Sequence, residues 1–119
     1  MTTNGQQYRD TGHEFLERAR IYLAEDDLLQ ASEKGWGAAA QMVKAAAESR
    51  GWRHRSHRDL HVAINRLSNE TGDEEIGNLF DAANQLHTNF YEGWLPHETV
   101  DRNLSRVVTL VEKLDALAV

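Results

Sequence analysis

Residues 100–117 read VDRNLSRVVTLVEKLDAL. Val100, Leu104, Val107, Val108, Val111, Leu114 and Leu117 recur mostly at spacings of three and four, and Arg106, Glu112, Lys113 and Asp115 fall between them. Three to four residues make one α-helical turn, so the apolar side chains form one stripe and the charged ones the opposite face. A strand would need apolar residues at every second position. Pro96 lies just ahead. Its fixed φ suits a first helical turn, where its missing N–H leaves no partner unsatisfied. The stretch predicts a helix over 96–117 with one face buried, so other helices must cover it.

Four further stretches share this period. Before Pro96, residues 73–92 place Ile76, Leu79, Phe80, Ala83, Leu86 and Phe90 on one stripe. Glu74 and Glu75 load the first turn with the charge that the helix dipole favours, and Gly93 ends the segment. Residues 57–70 bury Leu60, Ala63, Ile64 and Leu67. Ser56 as N-cap with Asp59 at the third helical position makes a variant capping box, and Thr71-Gly72 stops the helix. Residues 27–50 line up Ser32, Trp36, Ala39, Ala40, Val43, Ala46 and Ala47 before a terminal Gly51. Gly35 and Gly37 sit inside this helix, at a cost of about 0.5–1 kcal/mol each relative to alanine. That cost points to a neighbour packed too closely to admit a β-carbon. Residues 8–25 gather Phe15, Ala19, Tyr22 and Leu23, and residues 1–7 read as a frayed start. Short connections make successive helices antiparallel neighbours. The expected fold is all-α: one domain over 1–119, an up-and-down antiparallel four-helix bundle with the third helix as a short additional cross-piece.

Composition narrows the function. Cysteine is absent from the 119 residues, which excludes a disulfide framework, a thiolate nucleophile and a Cys-based zinc site. A cytoplasmic location fits that absence. No apolar run approaches the ~20 residues that span a bilayer. The net charge of −6 argues against broad nucleic-acid or anionic-membrane binding, leaving a local basic patch as the route to an anion.

Such a patch stands at residues 50–58, Arg50-Gly51-Trp52-Arg53-His54-Arg55-Ser56-His57-Arg58, with four arginines, two histidines and no acid until Asp59. It runs into a helix N-terminus, where free N–H groups favour anions. Arginine offers bidentate phosphate contacts, and Trp52 offers a ring on which a base can stack. Arg50, Trp52, Arg53, Arg55, His57 and Arg58 are therefore the candidate anion or nucleotide contacts. The alternative is a solvated loop whose arginines pair with neighbouring acids. His57 and His61 are four apart, a metal-ligand spacing, but without HExxH or an accompanying carboxylate motif they read as surface or capping histidines, and no metal or cofactor is expected. His87 and Tyr91, one turn apart, could line a polar pocket with Trp36, in which His87 serves as acid or base; Glu92 lies beside them. Trp94, Leu95 and Val119, together with the small-residue stripe of 27–50, are candidates for a dimer contact or for ordinary core.

The segment Ser56-His57-Arg58-Asp59-Leu60, set between the Ala-rich helix with Ala31-Ser32-Glu33-Lys34-Gly35-Trp36-Gly37-Ala38-Ala39-Ala40 and a helix ending in Asn89-Phe90-Tyr91-Glu92-Gly93-Trp94-Leu95-Pro96, resembles the HEPN superfamily, in particular its PaREP branch. The likeness spans roughly residues 15–114. It implies a bundle of four to five helices, usually a homodimer, with nucleotide binding or RNA cleavage in many members and a nucleotidyltransferase-type partner for some. Its ribonucleases carry an arginine, then four to six intervening residues, then a histidine. Here His87 occupies the corresponding region, and Phe80 to Ala82 stand where the arginine belongs. Arg55 to His61 and Arg50 to His57 have the spacing but lie earlier in the chain. No residue is assigned as catalytic. The expectation is a non-catalytic dimeric interaction module with nucleotide or RNA binding at Arg50–Arg58; the alternative is a metal-independent ribonuclease with an atypical Arg/His site.

Overall fold

The computed structural model describes residues 3–118, which form five helices and no strands: α1 (Asn4–Ala24), α2 (Leu28–Arg50), α3 (His57–Thr71), α4 (Glu75–Glu92) and α5 (His97–Leu117). The first helix starts at Asn4, four residues ahead of Tyr8. The Thr3 hydroxyl accepts the Gln6 N–H as an N-cap, and Gly5 is buried near the backbone of Ala45. Met1, Thr2 and Val119 lie outside the described residues.

The other helix ends follow the local chemistry. Asp27 caps α2 by accepting the Gln30 N–H, and Ser56 and Asp59 complete the capping box of α3. Gly51, Gly72 and Gly93 close α2, α3 and α4 in the left-handed conformation. At Gly51 the Trp52 N–H reaches the Ala47 carbonyl and the Gly51 N–H reaches that of Glu48, the paired bonds of a Schellman motif. This fixes the direction in which the arginine-rich segment leaves α2.

One core joins the helices, with α2 at its centre. Phe15 lies against Gly37, and Gly12 against Met42 and Ala38, so α1 and α2 run antiparallel at close range. Gly35 meets Leu86 of α4 and Leu104 of α5: a β-carbon there would lie 2.8 Å from one leucine methyl and 3.1 Å from the other. Both internal glycines of α2 are thus packing positions. The alanine stripe of α2 is buried inside the chain and belongs to the core, not to an outer face.

The four long helices alternate as an up-and-down bundle. Ser32 near the start of α2 bonds Asn89 near the end of α4, and Lys113 near the end of α5 bonds Asp73 ahead of α4. The departure from expectation is α3. Its first residue, His57, contacts Trp36, and its penultimate residue, Glu70, pairs with Arg50, so α3 runs in the same direction as α2. Short connections give antiparallel neighbours when the chain turns back at once. Here residues 52–54 have no helical hydrogen bonds and carry the chain back along α2 before α3 begins.

Candidate functional site

That returning segment brings two groups of residues together beside α2. At positions 36, 40, 44 and 48, successive turns of α2 present Trp36, Ala40, Lys44 and Glu48. Glu48 and Lys44 flank one end of the segment, and Trp36 meets α3 at the other.

At the Glu48 end lies an open cavity of about 520 Å³, lined by Tyr8 of α1, Lys44 and Glu48 of α2, and Trp52, Arg53, His54 and Arg55. His54 Nε2 lies 2.6 Å from Glu48 Oε2, and its ring meets the edge of Tyr8 at 5.4 Å between centroids. The His54 hydrogen bond, joined by one from Asn4, holds the Glu48 carboxyl below the ordinary carboxylate range. Three cations thus face one carboxylate that is already engaged. Lys44, Arg53 and Arg55 form no ion pair among the described residues.

The backbone beneath these side chains is fixed. The Asp59 carboxylate accepts the N–H groups of both Arg55 and Ser56 at 3.0 and 3.2 Å. Burial pushes the Asp59 carboxyl up, but these bonds and the Arg53 charge outweigh it and leave it lowered. Trp52 is half-buried against the core, with the guanidinium groups of Arg50 and Arg66 over its ring at 5.6 and 5.2 Å. Arg50 is tied down further by Glu70 at 2.9 Å and by the Ala46 carbonyl. Of the six candidate contacts, Arg50 and Trp52 therefore act within the fold, and Arg53, Arg55, His57 and Arg58 are exposed.

His57 leads into the second group. Its ring centroid lies 4.8 Å from that of His87 and 5.1 Å from that of Trp36. His87 in turn contacts Trp36 at 4.8 Å and Tyr91 at 5.4 Å. Partial burial, and then the neighbouring His57, lower the His87 pKa from its ordinary value. Trp36, His87 and Tyr91 thus lie in a chain of ring contacts, which His57 of the arginine segment joins as a fourth member. Glu92 is exposed at the end of α4. His61 turns to Phe80 instead, with centroids 5.1 Å apart, so the two histidines of the i, i+4 pair have different partners. Among the described residues no group of three or more histidine or acidic side chains gathers to hold a metal ion.

Sequence reasoning passed over Lys44 and Tyr8. The signal for Lys44 was its place two turns after Trp36 and one before Glu48; Tyr8 carried none, because only the α1–α2 contact brings it there.

No helix among the described residues is long and apolar enough to cross a membrane. A comparison with curated proteins finds no match. Among solved structures, the crystal structure of a protein from Sulfolobus solfataricus is similar over 98% of this chain and 97% of that one, with a TM-score of 0.76 and 24% identity, which bears on the fold alone. Residues 7–111 match the sequence profile of the archaeal PaREP1/PaREP8 family, and the chain belongs to that family.

Proposed function

We propose that this protein is a non-catalytic, HEPN-like interaction module of the cytoplasm that binds nucleotides or RNA through the segment Arg50–Arg58. The observation that carries the reading is the state of its exposed arginines. The chain has 19 acids against 13 lysines and arginines, yet Arg53, Arg55 and Arg58 close no ion pair among the described residues, and Arg53 acts on Asp59 only at longer range. Unpaired guanidinium groups on a fixed backbone suit phosphate oxygens. The absence of an arginine at residues 80–82 weighs toward binding without cleavage. Tyr91 and Trp94, 73% and 65% exposed, suit contact with a second copy or with a nucleotidyltransferase-type partner, which sedimentation at several concentrations would reveal.

The test is titration of labelled single-stranded RNA at about 50 and about 200 mM salt. Three phosphate contacts predict an affinity loss of roughly 10–20-fold between the two. Arg53→Ala with Arg55→Ala should weaken binding at low salt and flatten the salt dependence. Binding indifferent to both would overturn the reading.

The contact between His57 and His87 favours a second reading, the metal-independent ribonuclease with an atypical site. Two adjacent imidazoles, with the His87 pKa lowered by partial burial and by its neighbour, have the types and proximity that base and acid roles need. This reading requires RNA cleavage without added metal that disappears in His87→Ala. An intact strand after prolonged incubation rejects it.

A further inference from the structure

We propose that the cavity between α1, α2 and residues 52–55 receives a terminal phosphate or polyphosphate, with Lys44, Arg53 and Arg55 as its charge contacts and Tyr8 as its wall. The inference rests on the binding reading above and narrows it from phosphate backbones in general to phosphorylated ends. Its chemistry is shared by a nucleoside triphosphate and by the 5′-triphosphate end of an RNA.

Charge is the first argument. Lys44, Arg53 and Arg55 bring three positive charges to the cavity, and Glu48 brings the single carboxylate. One oxygen of that carboxylate is already engaged, by His54 at 2.6 Å. An internal phosphodiester offers one negative charge, whereas a phosphomonoester carries roughly −1.5 to −2 at neutral pH, and a polyphosphate more. The excess of cations therefore matches an end better than a backbone.

Shape is the second argument. A strand passing over the arginines needs only a surface, but the cations here border an open concavity of about 520 Å³, room enough for a phosphate group. Lys44 is half-buried on α2 and lines the cavity together with residues 52–55.

Rigidity is the third. The Schellman bonds at Gly51 hold one end of the segment and the Asp59 bonds to Arg55 and Ser56 hold the other. Both arginines thus project from a fixed backbone, which reduces the ordering cost of binding.

The experiment compares ATP, AMP and adenosine, and RNA oligonucleotides with 5′-triphosphate and 5′-hydroxyl ends, on the wild-type chain, Lys44→Gln and Lys44→Arg. The expected result is a preference of about tenfold or more for ATP over AMP, for triphosphate over hydroxyl ends, or for both. Lys44→Gln should abolish that preference and leave affinity for the 5′-hydroxyl RNA within about twofold, and Lys44→Arg should retain it. The two ligand arms tell which source supplies the phosphate. Equal affinity for ATP and AMP and for both RNA ends, with arginine-dependent RNA binding intact, would overturn the cavity assignment alone. Loss of all ligands equally in Lys44→Gln, with unchanged circular dichroism, would also overturn it. If no RNA or nucleotide binds the wild-type chain, the underlying binding reading falls as well.

Discussion

His57, the first residue of α3, and His87, on the last turns of α4, hold their rings 4.8 Å apart although thirty positions separate them in the chain. Trp36 of α2 touches both. This contact links the arginine-rich segment to the His87 face of α4, and it has a measurable consequence for acid stability.

Partial burial and the neighbouring His57 lower the His87 pKa, so the unfolded chain takes up that proton at a higher pH than the folded one. The stability associated with neutral His87 is then complete above the ordinary histidine value of about 6.5 and is lost as pH falls from there through the lowered folded value. Thermal unfolding followed between about pH 7.5 and 5 should show a falling Tm, and His87→Asn should flatten the fall. In His57→Gln the His87 ring, followed by NMR titration, should move back toward its ordinary pKa.

Close helix contacts make the glycines unequal. A β-carbon at Gly12 would lie 2.9 Å from the Met42 sulfur and 3.3 Å from the Ala38 carbonyl, which is backbone and cannot swing aside. Gly12→Ala should cost about 1–3 kcal/mol in chemical denaturation. Gly77, inside α4 with nothing within 4 Å of its β position, provides the contrast: Gly77→Ala should stabilise by about 0.5–1 kcal/mol.

Asn89 is a buried polar staple. Its Nδ2 donates to Ser32 Oγ at 3.0 Å and its Oδ1 accepts the Leu95 N–H at 2.8 Å, so one amide ties α2, α4 and the turn into α5. Asn89→Ala leaves the Leu95 N–H without this partner and opens a void. A loss of about 2–4 kcal/mol is expected from urea denaturation, whereas Asn84→Ala, on the half-buried side of α4, should cost under about 1 kcal/mol.

The capping box positions the arginines as well as starting α3. Asp59→Ala removes the acceptor of the Arg55 and Ser56 N–H groups and should lower the melting temperature. It should also raise hydrogen exchange at Arg55 and Ser56 while leaving the Trp52 amide, bonded to Ala47, protected.

The sequence by itself determined that there are five helices, most of their ends and most of their buried faces, because a helix is a local structure; the Thr3 cap and the first turn of α1 escaped it. The stripe Val100 to Leu117, Ser56 with Asp59, and the stop at Gly51 depend on residues within one or two turns of each other. Gly35 and Gly37 likewise disclosed a close neighbour, since their cost had to be offset somewhere. Which neighbour was a different matter. That Gly35 meets Leu86 and Leu104, that Arg50 is claimed by Glu70, and that Tyr8 and Lys44 share a cavity with Arg53 and Arg55 all depend on how the helices lie against one another. The direction of α3 decided most of this. Residues 52–54 return along α2 instead of turning at once, and local rules for short connections do not foresee that path. Only the packed chain therefore joins His57 to His87 and sorts the arginines into those held by the fold and those left to solvent.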